Sequence, residues 1–485
     1  MKEQTVREQF TQAQNRERRE AVGKDPYRQT YHLMPPVGWL NDPNGLCEMN
    51  DIHHIFYQYT PADAQGEDHR GWGHYTTRDF IQYQEENDPF VPDTIADRKG
   101  SYSGSALCKD GTMHLFFTGN NKLDGDYDYI HAGRTHWVLH SKSEDGKTFT
   151  PKEVILKNED FPKNLSNHVR DPKVFEKDGQ YWMVLGARTS QDEGEVILLK
   201  SEDLVHWHHA STIRPQHPLG YMWECPDLFE LDGHWILTIC PQGIERSNAG
   251  HTEGDSNGWF EVKGDLNQDQ IADGFAILDN GFDFYAPQTY EDEEGRRILI
   301  AWMGIPHESW TNPTVEKGWQ HCLTLPRKLT WKNDTLYQYP IHELQALRDK
   351  NFSVDLKADE CLTLPSQKME LDLHPQGKNW TIELRKDVSL SYENGMLSMT
   401  LGASGYGRGK RTAEVESIDS LQIFSDSSSL EVFINHGQKA MTTRVYDDPS
   451  DLRLCANVPL NGQGWTMNPF VIQEKTEKTD PVISE

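Results

Sequence analysis

The chain predicts an all-β protein, a five-bladed β-propeller followed by a C-terminal β-sandwich. Two observations carry that prediction. A unit of polar head, short strand, tight turn and second strand occurs five times, at intervals of roughly 53 to 68 residues. A fixed period with room for four strands per unit is the mark of a propeller. Near Tyr339-Pro340 the repeat stops, and short alternating strands with close turns follow, as in a sandwich.

Taken in order, residues 1–30 form an N-terminal helical extension, with a charged helix expected over 1–24. The propeller spans 31–340. Its five units are headed by Asn41-Asp42-Pro43, Tyr102-Ser103-Gly104, Arg170-Asp171-Pro172, Glu224-Cys225-Pro226 and Tyr285-Ala286-Pro287. The matching turns are Asn50-Asp51, Asp110-Gly111, Asp178-Gly179, Asp232-Gly233 and Glu294-Gly295, residue pairs that suit two-residue hairpins. The first strand of each unit is apolar on both faces, as an inner strand packed between neighbouring blades must be. Its head residues, Asp42, Ser103, Asp171, Glu224 and Tyr285, are therefore expected around one central mouth. Residues 341–350 read as a linker containing a short helix, and 351–485 as the sandwich, with Asn394-Gly395 and His436-Gly437 as hairpin turns.

Composition narrows the function classes. With 48 basic against 76 acidic residues the net charge is −28, which argues against nucleic acid or an anionic membrane as partner. Aromatics make up 10% of the chain, including 14 Trp and 18 Tyr; disordered chains lack them, and aromatic faces suit sugar rings. No apolar run approaches the ~18 residues of a membrane span, and the N-terminus has no apolar signal-peptide core. The 7 Cys are odd in number and form no CxxC pair, so a reduced, cytoplasmic setting is expected. The histidine runs His53-His54 and His206-Trp207-His208-His209 lack a metal-binding frame and read as packing or surface. Gly405 to Arg411 fits no phosphate-loop spacing and reads as a flexible basic hairpin. No metal or cofactor is expected.

Three of the five head residues are carboxylic acids, and carboxylates converging on an aromatic-lined mouth suit glycosidic bond cleavage. Glu224 lies between Met222-Trp223 and Cys225, an apolar setting that suits a proton donor. Asn41 beside Asp42 is expected to hold that carboxylate ionised as a nucleophile. Arg170 is expected to do the same for Asp171, leaving it permanently negative to hold sugar hydroxyls.

The chain resembles glycoside hydrolase family 32, the invertase and fructan-hydrolase family, and most closely its bacterial sucrose-6-phosphate hydrolases. The resemblance rests on Trp39-Leu40-Asn41-Asp42-Pro43-Asn44-Gly45, Ser103-Gly104-Ser105, Arg170-Asp171-Pro172, Glu224-Cys225-Pro226-Asp227, Phe284-Tyr285-Ala286-Pro287-Gln288 and Ala301-Trp302-Met303-Gly304. It implies a retaining β-fructofuranosidase acting on sucrose and/or sucrose 6-phosphate through a fructosyl-enzyme intermediate. Residue by residue it makes Asp42 the nucleophile, Glu224 the acid/base and Asp171 the transition-state stabiliser. Asn41, Gln58, Trp72, Ser103, Arg170, Tyr285 and Trp302 match sugar-binding positions. The chain departs from the family pattern at Glu67, which stands where many members carry a Trp. The expected partner is a small-molecule sugar, with no nucleic acid and no membrane, and the assembly a homodimer. His69 and Arg70 are candidates for a phosphate on the glucose. An intracellular fructo-oligosaccharide hydrolase competes within the enzyme class, and a non-catalytic sugar-binding propeller from outside it.

Overall fold

Four of the five expected turns place two residues, and the hairpins they close build the propeller's sheets. Asn50 and Asp51 both take positive φ, as do the pairs Asp110-Gly111, Asp178-Gly179 and Asp232-Gly233, the geometry whose twist matches a two-residue hairpin. A Cβ on Gly111, Gly179 or Gly233 would meet nothing within 4 Å, so backbone conformation, not space, selects glycine there. The computed structural model describes residues 5–244, 254–450 and 452–475.

Five sheets follow one another up to Pro340, with inner strands Gly38–Glu48, Ser101–Lys109, Leu165–Lys177, Met222–Leu231 and Tyr285–Glu291. Each inner strand contacts the next, and the fifth contacts the first, so the set closes on itself. Closure is reinforced by Trp319–Gln320, which pairs in parallel with Gly38 and Trp39.

Every inner strand carries the same irregularity. Three steps along it match two on its partner. The affected spans are Leu40 to Pro43 against Tyr59 to Tyr57, Ser101 to Gly104 against Gly119 to Phe117, and Arg170 to Lys173 against Gly186 to Val184. Glu224 to Asp227 faces Cys240 to Thr238, and Tyr285 to Gln288 faces Trp302 to Ile300. Each is a β-bulge with one extra residue. In the last three units the second residue of the bulge (Asp171, Cys225 and Ala286) takes φ of 63°, 48° and 49°. The head residues grouped together from sequence are therefore not equivalent. Glu224 and Tyr285 hold the first place of their bulges, Asp171 the second, and Asp42 and Ser103 the third.

The sandwich has two six-stranded sheets around a core that includes Leu371, Ile382, Leu390, Ile423 and Val432. Several local expectations are corrected. The N-terminal segment is two short helices, Val6–Gln12 and Arg16–Val22, rather than one; residues 1–4 of the expected helix lie outside the described residues. Phe10 joins the core of the first sheet, and Arg19 pairs with Glu85 at 2.7 Å. The linker helix is a 3-10 turn, His342–Leu347, and the first sandwich strand already starts at Arg348. The tail strand Val471–Gln473 does not join the sandwich; it pairs in parallel with the edge of the first propeller sheet. Cys361 and Cys455, directly opposite on neighbouring strands, form a disulfide, where sequence pointed to a wholly reduced set. The Gly405–Arg411 segment is a clamp: Arg408 is buried and bonds Asp283 through two nitrogens at 2.7 Å. His54 packs against His74, Nδ1 to Nε2 at 3.1 Å. No helix among the described residues is long and apolar enough to cross a membrane.

Buried charges join propeller and sandwich. Arg327 is fully buried between Asp279, at 3.0 Å, and Glu431. His32 reaches Asp426 at 2.9 Å and Glu431 at 3.0 Å. Removing one partner of such a set leaves uncompensated buried charge, at about 3–5 kcal/mol. Arg327→Ala is expected to lose that much stability in denaturant unfolding; a loss below about 1 kcal/mol would show that solvent reaches the two carboxylates.

Candidate active site

The bulges bring Asp42, Asp171 and Glu224 together from three inner strands. One residue stands between the two aspartates. The Cys225 N–H donates to Asp171 Oδ2 at 2.9 Å, and its thiol lies 3.5 Å from Asp42 Oδ2 and 3.7 Å from Asp171 Oδ2. Sequence treated Cys225 as a neighbour of Glu224, but it works on the other two acids.

Asp42 closes a ring of polar side chains. Asn41 Nδ2 donates to Asp42 Oδ1 at 3.1 Å and to Gln58 Oε1 at 2.7 Å. Gln58 Nε2 donates to Ser103 Oγ at 2.9 Å, and the Ser103 hydroxyl donates to Asp42 Oδ2. Trp39 Nε1 gives Asn41 Oδ1 a further bond of 2.8 Å. The ring uses both ends of each amide, which fixes their orientation.

Glu224 meets polar groups, not the apolar pocket expected. Met222 and Trp223 are wholly buried, with Trp223 Nε1 donating to Leu219 O. The carboxylate takes Arg170 Nη2 at 2.6 Å and Nε at 3.2 Å on Oε1, and the Tyr285 hydroxyl at 2.8 Å on Oε2. Arg170 thus serves Glu224 first; its Nε is 3.9 Å from Asp171.

Burial is the first influence on the charge of the aspartates. Burial pushes the Asp171 carboxyl up to about 7, Arg170 opposes the shift, and the nearby Glu224 and Asp42 add to it. The expectation of a permanently negative Asp171 is corrected on this ground. Asp42 is also raised, by burial first, against the hydrogen bonds from Ser103 and Asn41. Both shifts follow from placing acids in a poorly solvated site, where Arg170 opposes the shift of Asp171 and Arg70 that of Asp42 without overcoming burial.

Aromatics form one side of the mouth. Trp302 packs edge-on to Tyr285 and His321, at 6.1 Å and 5.0 Å between ring centres, and Trp39 lies 4.4 Å from His321. Trp302 Nε1 is buried without a hydrogen-bond partner. Trp72 is corrected. Its ring is fully buried against Phe56, Phe90 and Phe117, and its Nε1 donates to Tyr102 O, so it packs the sheet instead of facing sugar. Glu67 is exposed, on a loop where Asp63 accepts the N–H groups of Gln65, Glu67 and Asp68. Its neighbour Gly66 abuts Trp39, whose ring would be 2.7 Å from an added Cβ. Of the phosphate candidates, His69 is paired with Asp68 at 2.6 Å.

Sequence reasoning missed three contributors. His168 Nδ1 lies 2.8 Å from Arg170 Nη1; the i, i+2 spacing on a strand was the available signal. Thr118 Oγ1, on the second strand of its sheet, accepts the Asp171 N–H at 2.9 Å. Asp255 lies 2.9 Å from His307 and is raised chiefly by burial, with Glu224 adding to the shift; nothing in the sequence marked it.

Two family models match the chain: the glycosyl hydrolases family 32 N-terminal domain over residues 32–340, and the family 32 C-terminal domain over 343–463. A sucrose-6-phosphate hydrolase of Bacillus subtilis is 36% identical, covering 93% of this chain and 96% of that protein. A sucrose-6-phosphate hydrolase of Klebsiella pneumoniae is 36% identical, with coverage of 93% and 95%. Among solved structures, a sucrose-6-phosphate hydrolase from Lactobacillus gasseri has a TM-score of 0.86 at 27% identity, covering 97% of this chain and 100% of that one. A Bombyx mori GH32 beta-fructofuranosidase mutant in complex with sucrose has a TM-score of 0.81 at 26% identity, with coverage of 94% and 98%.

The raised Asp171 has a measurable consequence. Between the ordinary 3.8 and about 7 the folded chain keeps a proton that the unfolded chain has lost. Stability therefore falls as pH rises across that window and is level above it. Asp171→Asn, which has no charge to bury, is expected to be more stable than the parent at pH 8, by up to about 4 kcal/mol. The gain should vanish by pH 4, and a gain independent of pH in thermal unfolding would refute the burial account.

Proposed function

The chain belongs to glycosyl hydrolases family 32, and on that premise we propose that it is a retaining β-fructofuranosidase hydrolysing sucrose, sucrose 6-phosphate or both. The observation that carries the reading is the grouping of three carboxyls with distinct partners: Asp42 in its amide–hydroxyl ring, Glu224 between Arg170 and Tyr285, and Asp171 on the Cys225 N–H. A lectin-like binder needs no such separation of roles. The substrate class rests on the bacterial relatives named sucrose-6-phosphate hydrolase and on the silk-moth enzyme's sucrose complex.

In the first step an Asp42 oxygen attacks the anomeric C2 of the fructosyl unit while the Glu224 proton passes to the glycosidic oxygen. The C2–O bond breaks, glucose or its 6-phosphate leaves, and an ester joins fructose to Asp42. In the second step Glu224, now a carboxylate, takes a proton from water. The water oxygen attacks C2 and frees Asp42, so two inversions give retention. Asp171 holds fructose hydroxyls. Hydroxyls that donate to it favour its ionised form, so substrate binding itself drives off the proton that burial retains. The ring around Asp42 keeps one oxygen aimed while hydrogen bonds to the carboxylate offset part of its burial.

Asp42→Asn and Glu224→Gln are expected to lower kcat by at least about 10²–10⁴-fold while leaving the fold intact by circular dichroism. Proton NMR of early product from the parent should show β-fructofuranose before it mutarotates. Release of the α anomer would exclude the double displacement, and no turnover of either sugar would exclude the enzyme reading.

A further inference from the structure

The mouth has a second polar district, on the Arg170 side of Glu224. Arg170 leads to His168 at 2.8 Å, His168 to the His136 ring at 5.4 Å between centres, and His136 Nε2 to Arg134 Nη1 at 3.2 Å. Arg134 also donates to Tyr129 O at 3.2 Å and to Asn120 Oδ1 at 2.9 Å, so neutral acceptors hold it. Lys122 lies directly opposite Arg134 in the strand pair, with its Nζ 5.4 Å from the Tyr129 ring. On the far side Arg70 stacks on Tyr102, at 5.6 Å, and donates to Gly66 O.

Among the described residues no carboxylate forms an ion pair with Lys122, Arg134 or Arg70, in a chain whose net charge is −28. The nearby Asp128 is turned onto its own loop, accepting from the N–H groups of Ile130 and His131 and pairing with the His131 ring. Like charges directly opposite on a strand pair destabilise it. A protein with acid to spare has kept this pair without a counter-ion.

We propose that Lys122 and Arg134 form the subsite for a phosphate monoester on the leaving sugar. The inference rests on the β-fructofuranosidase reading above. The leaving group must depart on the side of the acid Glu224, and the unpaired cations lie beyond its Arg170 partner, past His168 and His136. A phosphate dianion there relieves the Lys122–Arg134 repulsion, and the planar guanidinium offers it two parallel donors while the ammonium adds a point charge. The cost of holding two like charges together is thereby recovered only with a phosphorylated substrate, which makes the pair a selectivity device.

The test compares kcat/KM for sucrose 6-phosphate with kcat/KM for sucrose in the parent, Lys122→Gln and Arg134→Gln. The ratio is expected to favour the phosphate ester in the parent and to fall about tenfold or more in each variant, the worth of one charged hydrogen bond. Inorganic phosphate should inhibit sucrose hydrolysis competitively in the parent and more weakly in the variants. Among the described residues the Lys122 side chain makes no hydrogen bond, so Lys122→Gln guards against a merely misfolded Arg134 variant. An unchanged ratio in Lys122→Gln, or a parent with equal values for the two sugars, overturns this inference and leaves the fructosidase reading standing. A parent that cleaves neither sugar overturns that reading instead.

Discussion

The extra residue in each inner strand is the constraint on which the rest of the site depends. A regular strand alternates its side chains between two faces, so successive residues never share a target. A bulge lets two residues face one partner and turns the strand at that point. Acids from three different bulges, Asp42, Asp171 and Glu224, thereby meet at one mouth. The backbone cost is real. Asp171, Cys225 and Ala286 have a side chain in left-handed conformation, at roughly 1–2 kcal/mol each. Ladder pairing resumes on both sides of every bulge, which is what holds them there. Strain of this kind gathers where a site must be aimed.

Electrostatics then separates two buried districts of one fold. Between propeller and sandwich each acid has cations of its own. Asp426 is pushed down to about 2 despite its burial, chiefly by its bond to His32; Glu431, held by Arg327 and His32, and Asp283, held by Arg408 and Arg444, are lowered as well. At the mouth Arg170 binds Glu224 and only opposes the shift of Asp171, Arg70 only opposes that of Asp42, and both aspartates are raised. Burial is comparable in the two places, and the ion pairs and hydrogen bonds made directly to Asp426, Glu431 and Asp283 turn the direction. The first arrangement locks two modules together. The second raises Asp42 and pushes Asp171 up to about 7, near the usual working pH.

Much of this was legible in the chain because its signals are local. Asp-Gly and Asn-Asp turns specify hairpins within a few residues, and the period of the polar heads exposes the repeat. What was not legible depends on partners far along the chain. The place of Asp42, Asp171 or Glu224 in its bulge is set by counting residues on the opposite strand, which no single segment records. Arg170 was assigned to Asp171 because they are adjacent in sequence, yet its guanidinium extends to Glu224, 54 residues on. Trp72 looked like a sugar platform because it lies in a motif, but its strand turns the ring into the first two sheets' shared core. The Cys361–Cys455 bridge spans 94 residues, and pairing at that range depends on strand order in the sandwich.

The same architecture explains why reaction and substrate choice can be set by different residues. The inner strands supply the acids, and their geometry is shared by five interlocked bulges, so altering one disturbs its neighbours. The unpaired cations lie elsewhere, at the end of the second strand of the second sheet, Thr112–Lys122, and at the start of the third, Arg134–Ser143. The pairing of these two strands is regular and contains no bulge. A charge at such a position can be gained or lost without moving Asp42, Asp171 or Glu224. The fold thus holds the bond-breaking groups rigid while the strand ends around them remain free to recognise whichever group is bonded to the fructose.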